Sequence, residues 1–168
     1  LNAIWVSVLI LYLIAPQYED YLEYFTWKIN MKSLIFTFSI LSILSLIIIP
    51  GGLISEFLTW NPSHDSLGLL ILIFIGIWFT IALPEEIIAR GVIQHKLIKT
   101  WKKKIKNPAF WQILIIVVIS SFIFGLSHWN NIGRDLVWYY IGFATIAGIG
   151  YGLSFYYYGL FPAMLTHT

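Results

Sequence analysis

The sequence contains no cysteine, and this absence excludes disulfide bonds and thiolate metal sites. Charge is also scarce: 11% of the residues are charged, whereas about 25% is usual for a soluble domain. Hydrophobic residues make up 59% of the 168 residues. The chain has the length of one domain, and its composition indicates that lipid rather than water surrounds much of it.

Long apolar runs predict the membrane-spanning segments. Five runs are long enough, or nearly so, to cross a hydrocarbon core about 30 Å thick: residues 1–15, 33–55, 67–84, 109–127 and 136–158. None of them alternates strictly between apolar and polar residues, which argues against transmembrane strands. The prediction is therefore an all-α fold, a polytopic transmembrane helix bundle with about five spans and a truncated sixth.

The ends of the sequence suggest a fragment of a longer membrane protein. The chain starts inside an apolar run without an initiator methionine, and it stops at "FPAMLTHT". Pro162 suits the first turn of a new helix there. We expect residues 1–168 to form a single transmembrane domain.

The basic residues are unevenly distributed. Six of the ten Lys and Arg residues are Lys96, Lys99, Lys102, Lys103, Lys104 and Lys106. The loop from Glu56 to Asp65 contains none. Positively charged loops stay in the cytoplasm, so the prediction is an integral membrane protein with residues 96–106 on the cytoplasmic side. A lipid- or nucleic-acid-binding patch is the alternative; we expect contact with the lipid bilayer and none with nucleic acid.

Three charges follow the third apolar run, in "PEEIIARG" at residues 84–91. Glu86 and Arg90 are four residues apart, so on a helix they share a face and neutralise each other. Glu85 points about 100° away from Glu86 and is left without a partner. A spare ionisable group at membrane depth is a candidate functional residue. A purely structural charge cluster is the alternative.

Two histidines are further candidates. His128 ends the fourth apolar run and shares a helix face with Phe124, and His167 lies in the new helix at the chain end. Counting about 1.5 Å per residue from the basic turn puts Glu85 and His128 at similar depth on antiparallel neighbours. The same count makes residues 66–98 too long for one straight span, which predicts a break or tilt near Pro84. A headgroup-level His128 and a satisfied core His167 are the alternatives.

Together these residues resemble a known family. Glu85, Glu86 and Arg90 form "EExxxR", Phe124 and His128 form "FxxxH" within "FGLSHWNN", and His167 closes "GLFPAMLTH". In this order, on three consecutive apolar helices, the motifs are similar to those of the CAAX protease and bacteriocin-processing family of intramembrane endopeptidases, also called the Abi family. The family-like core covers residues 66–168. The family's third motif continues with Asn or Asp four residues after the histidine, beyond the last residue given.

The resemblance implies an all-helical core around a water-filled cavity. It implies Glu85 as general base, His128 as the residue that holds the water, and His167 as part of the site and of its oxyanion pocket. It assigns supporting roles to four further residues: Glu86, Arg90, Phe124 and Asn131. The implied substrate is a peptide or protein, with or without a lipid group. Eukaryotic members cut prenylated CAAX tails, and bacterial members are linked to peptide processing or bacteriocin self-immunity.

The predictions of cofactor and of activity each have an alternative. We favour a glutamate-activated water without a cofactor, because the sequence contains no HExxH motif. Zn²⁺ held by Glu85, His128 and His167 is the alternative. A non-catalytic membrane scaffold or immunity protein that binds its target, or a transporter with a buried proton relay, would use the same residues without hydrolysis. The Ile-, Lys- and Asn-rich composition indicates a bacterial cell membrane.

Overall fold

The computed structural model describes residues 29–62, 65–131 and 133–168. The first predicted span, residues 1–15, lies outside these ranges. Within them the regular elements are all helical: α1 (Met31–Ile54), α2 (Leu67–Lys104), α3 (Phe110–Leu126), α4 (Val137–Tyr158) and α5 (Leu160–His167). The predicted all-α class is confirmed for these residues.

Local sequence signals set the starts of the first two helices. Asn30 caps α1: its side chain accepts from the Ser33 N–H at 2.8 Å, and the Ser33 hydroxyl accepts from the Asn30 N–H at 3.1 Å. This reciprocal pair satisfies two N–H groups that the helix leaves without partners. Ser66 caps α2 in the same way, accepting from the Leu69 N–H at 3.3 Å.

The longest helix, α2, runs for 38 residues through Pro84. The sequence predicted a break or tilt near Pro84, but the helix continues through the proline with altered turns on both sides. Two π-helical stretches, Trp78–Ala82 and Ile87–Gln94, flank the proline. Proline cannot donate the usual hydrogen bond to the preceding turn, and wider i→i+5 turns commonly mark such positions and functional sites.

The two halves of α2 face different surroundings. No residue of Leu67–Ile77 is buried, although every side chain there except the two glycines is large and apolar. The second half buries polar residues instead: Glu86, Arg90 and Gln94 are each 0% exposed. The first half therefore offers an apolar surface to lipid, and the second half packs into the bundle.

Small residues let α3 and α4 pack closely as antiparallel neighbours. A Cβ on Gly125 would lie 2.7 Å from the Ile141 carbonyl oxygen, and one on Gly152 would lie 2.8 Å from the Val117 side chain. Gly159 then adopts a φ of 89°, a conformation that favours glycine. This turn sends α5 back along α4 toward the second half of α2.

Two helices of the described chain, α1 and α2, are long and apolar enough to cross a membrane, and α3 is a shorter apolar helix of 17 residues. Many large apolar side chains are exposed, including Phe38 at 65% and Leu46 at 76%. Contiguous apolar surface of this kind is rare on soluble monomers. The exposed side chains therefore suit a bilayer.

Candidate active site

The adjacent carboxylates of α2 have different surroundings. Glu86 is fully buried, and the Arg90 Nε–H donates to its Oε2 at 3.1 Å, as their spacing indicates. Glu85 points elsewhere, and its side chain is 35% exposed. Its Oε2 atom is nevertheless buried and makes no hydrogen bond within the described part of the chain.

A buried polar network extends from Arg90 to the neighbouring helices. The Arg90 Nη1 donates to Gln94 Oε1 and to Ser121 Oγ, each at 3.3 Å. The Gln94 side-chain amide in turn donates to the Gly152 carbonyl oxygen at 2.8 Å. The guanidinium also lies 5.2 Å from the centre of the Phe124 ring, within range of a cation–π contact. The network ties α2 to α3 and α4.

His128 follows the last turn of α3 and faces Glu85. Its Nδ1 lies 2.9 Å from the Phe124 carbonyl oxygen. A carbonyl only accepts, so Nδ1 carries the proton and donates it. The other nitrogen, Nε2, then offers a lone pair in the neutral ring and lies 3.9 Å from Glu85 Oε2. The hydrogen bond to the backbone thus fixes which nitrogen faces the carboxylate.

His167, the last residue of α5, approaches the same atom from another side. Its Nδ1 donates to Glu86 Oε1 at 2.9 Å, and its Nε2 lies 3.6 Å from Glu85 Oε2. The ring stacks on Tyr151, with centroids 4.5 Å apart and planes 13° apart. Both imidazoles therefore direct Nε2 at one carboxylate oxygen.

The supporting residues named by the sequence fall into two groups. Phe124 is buried, and its ring meets both His128 and His167 edge-on, at centroid distances of 4.8 and 5.8 Å. Asn131 is exposed, and its backbone N–H donates to the His128 carbonyl at 3.0 Å. The structure therefore brings Phe124 into the cluster and leaves the Asn131 side chain outside it.

Two cavities flank Phe124. The larger measures about 260 Å³, and the two histidines lie in its wall. Its other lining residues are aromatic or aliphatic: Ile48, Phe57, Phe124, Tyr140, Phe143, Ala144, Ala147 and Tyr151. The smaller cavity, about 180 Å³, includes Glu85 and lies between α2 and α3. The polar atoms of the site thus lie beside an apolar space of ligand size.

Sequence reasoning missed several residues of this cluster. Gln94 continues the four-residue spacing of Glu86 and Arg90, so that signal was available. Tyr140 also belongs to the cluster, since its ring lies 5.0 Å from the His128 ring. Tyr151 carries no local signal, because only tertiary packing brings it against His167.

The described helices thus gather a carboxylate–histidine cluster beside an apolar cavity, in a helical protein with much exposed apolar surface. A family model described as "Type II CAAX prenyl endopeptidase Rce1-like" matches residues 67–168, more than half of the chain. The protein belongs to this Rce1-like family of membrane-embedded proteases, which confirms the family expected from the motifs. The match begins at the first residue of α2 and ends at the last residue given. Comparison with curated proteins and with solved structures produced no match.

Proposed function

We propose that the protein is an intramembrane endopeptidase in which Glu85 activates a water molecule. One observation carries the proposal: His128 Nε2 and His167 Nε2 both face Glu85 Oε2, at 3.9 and 3.6 Å. When the histidines are neutral, all three atoms are acceptors. Facing acceptors at such distances suit a shared donor, and water is the donor that peptide hydrolysis requires.

The proposed reaction uses Glu85 as general base and then as general acid. Glu85 takes a proton from the water while the water oxygen forms a bond with the peptide carbonyl carbon. His128 holds the water through its Nε2 lone pair. When the C–N bond breaks, the same proton passes from Glu85 to the leaving nitrogen. The products are a carboxylic acid and an amine, the acid passes its remaining proton to the amine to give a carboxylate and an ammonium, and Glu85 returns to its starting state.

His167 is placed to assist the developing negative charge. Its Nδ1 is held by Glu86 Oε1. When Nε2 also carries a proton, the ring donates through Nε2 toward the reacting oxygen instead of accepting from the water, while Nδ1 stays bonded to Glu86. Donors held in place before the reaction stabilise an oxyanion most effectively.

The substrate is a peptide or protein, and we propose that the chain resides in a bacterial cell membrane with about five spans. Residues 96–106 then lie in the cytoplasm. The exposed Lys102, Lys103 and Lys104 at the end of α2 support this orientation. Peptide processing or bacteriocin self-immunity, acting on a substrate with or without a lipid group, is the biological role that fits.

Two substitutions test the chemistry. Glu85→Gln keeps the size of the side chain but removes the base, and His128→Ala removes the residue that holds the water. Each is expected to lower cleavage of a cognate peptide by at least about 10²-fold, a typical contribution of general-base catalysis. Glu56→Gln is the control, because Glu56 is exposed and lies outside the cluster. Full activity of Glu85→Gln in cells would instead favour a binding scaffold.

Treatment with a metal chelator distinguishes the metal-free mechanism from a Zn²⁺-dependent one. We propose the metal-free mechanism, in which Glu85 Oε2 and the two histidine Nε2 atoms hold a water molecule. Activity should then survive strong chelators. Loss of activity on chelation, with recovery on adding Zn²⁺, would assign Glu85, His128 and His167 as ligands instead.

A further inference from the structure

The candidate active site lies toward one end of the helix bundle. His128 follows the last turn of α3, and its ring meets that of Tyr140 in the first turn of α4. Phe57, which follows α1, packs on Tyr140 and Phe143 at centroid distances of 5.6 and 5.4 Å. The loops that follow α1 and α3, at residues 55–66 and 127–136, therefore begin at the same end as His128, which we call the site end.

The lysines of the described chain lie toward the opposite end. Lys102 is 17 residues from Glu85 along α2, about 25 Å at 1.5 Å per residue. Its Nζ lies 5.9 Å from the centre of the Tyr156 ring, near the end of α4. Lys32 is in the first turn of α1, and the next turn brings Phe36 against Tyr157. The start of α1, the end of α2 and the end of α4 therefore lie at the same end of the bundle, which we call the lysine end.

The site end carries almost no positive charge. Its two loops contain Arg134 as their single cation, together with the acidic residues Glu56, Asp65 and Asp135. The other arginine, Arg90, is fully buried in the polar network. Lys and Arg in short loops decide orientation, whereas Asp and Glu contribute little. This asymmetry orients the lysine end toward the cytoplasm and the site end away from it.

We propose that the cavity beside His128 and His167 opens on the non-cytoplasmic face of the membrane. The bond that is cut then belongs to an exported peptide or to the extracytoplasmic part of a membrane protein, not to the tail of a cytoplasmic protein. The inference rests on the proposed function for the cleavage and for the cytoplasmic position of residues 96–106; the position of the cavity at the end opposite the lysines depends on neither. A protein of the cytoplasm would have to cross the membrane to reach the site.

The absence of cysteine makes a direct test simple. Four single-cysteine variants of the full chain are expressed in cells: Asn61→Cys and Asn130→Cys in the site-end loops, Lys103→Cys at the lysine end, and Ala144→Cys in the cavity wall. Intact cells are treated with a small, positively charged, membrane-impermeant methanethiosulfonate. Labelling is compared with that of permeabilised cells and of denatured protein, which shows that each cysteine is present.

The expected result is labelling of positions 61, 130 and 144 in intact cells, and of position 103 only after permeabilisation. Labelling of Lys103→Cys from outside would overturn the proposal. Failure to label Ala144→Cys from outside would also overturn it, whether or not permeabilisation exposes that cysteine. Repeating the four labelling experiments in the Glu85→Gln protein separates the side on which the cavity opens from the cleavage activity. The labelling pattern should stay the same even if no peptide is cleaved.

Discussion

Glu86 divides its two carboxylate oxygens between two partners. Oε2 accepts from Arg90 at 3.1 Å, and Oε1 accepts from His167 at 2.9 Å. The first contact neutralises a buried charge within one helix. The second fixes the ring of His167, on another helix, so that Nε2 faces Glu85. One side chain therefore serves both the stability of the bundle and the geometry of the site.

This double role can be separated by mutation. Removing either member of the Glu86–Arg90 pair leaves an uncompensated buried charge, which we expect to cost roughly 3 to 5 kcal/mol of unfolding free energy. The double change Glu86→Gln with Arg90→Met should cost less than either single change. Cleavage should stay low in the double variant, because His167 has lost its carboxylate. Unfolding in detergent and peptide cleavage measure the two effects.

Two outcomes would contradict that account. Additive losses of stability would show that the residues do not act as a pair. Recovery of cleavage together with stability would show that Glu86 does not position His167.

At the scale of single residues, the four-residue spacing of the charged side chains and the family motifs were informative. They identified Glu85, Glu86, Arg90, Phe124, His128 and His167, and the structure brings these side chains together; their catalytic roles stay predictions. The hydrogen bond between His167 and Glu86 was not predicted, because it joins residues 81 positions apart. Local periodicity gives no information on which side chains of separate helices meet.

Helix α4 carries glycines with contrasting surroundings. A Cβ on Gly152 would lie 2.7 Å from Gln94 Oε1 and 2.8 Å from the Val117 side chain, whereas one on Gly142 would meet nothing within 4 Å. Gly152→Ala is expected to destabilise the protein by about 1 to 3 kcal/mol through overpacking. Gly142→Ala, on the same helix, should be neutral or stabilise by up to about 1 kcal/mol. Thermal unfolding in detergent compares them.

Equal stability of the two glycine variants would show that α3 and α4 do not pack closely at Gly152.

The predicted helices agree with the structure where the apolar runs were long. Run 33–55 corresponds to Met31–Ile54, and run 136–158 to Val137–Tyr158. Run 67–84 stopped where charged residues begin, but α2 continues to Lys104 because the bundle buries those charges. The π-helical turns have no signature in the apolar pattern.

At the scale of the whole molecule, α1 lies outside the matched region but borders the site. Ile48 lines the larger cavity, and Leu44 and Ile40 lie against Gly150 of α4. A chain that starts at Ser66 should still insert into the membrane, because α2 is long and apolar. Its unfolding midpoint and its cleavage activity are expected to be lower than those of a chain that starts at Ile29.

Supplying residues 29–62 as a separate segment is the matched control for this truncation. Membrane helices that insert independently can associate afterwards, so the added segment should restore part of the lost stability and activity. Unchanged behaviour of the shorter chain would show that α2 to α5 form the complete unit. Composition predicted the membrane setting and the motifs predicted the family, but neither gave information on how α1 contributes to the cavity.

The buried network around Arg90 has a mechanical consequence. Its hydrogen bonds join α2 to α3 through Ser121 and to α4 through the Gly152 carbonyl. Sliding one helix by a turn would move it about 5.4 Å, beyond any hydrogen-bond length, and would strand a positive charge in an apolar interior. These hydrogen bonds therefore hold the three helices in one register. The contacts between α1 and Gly150 are apolar, so α1 can shift against the other helices without breaking a hydrogen bond of this network.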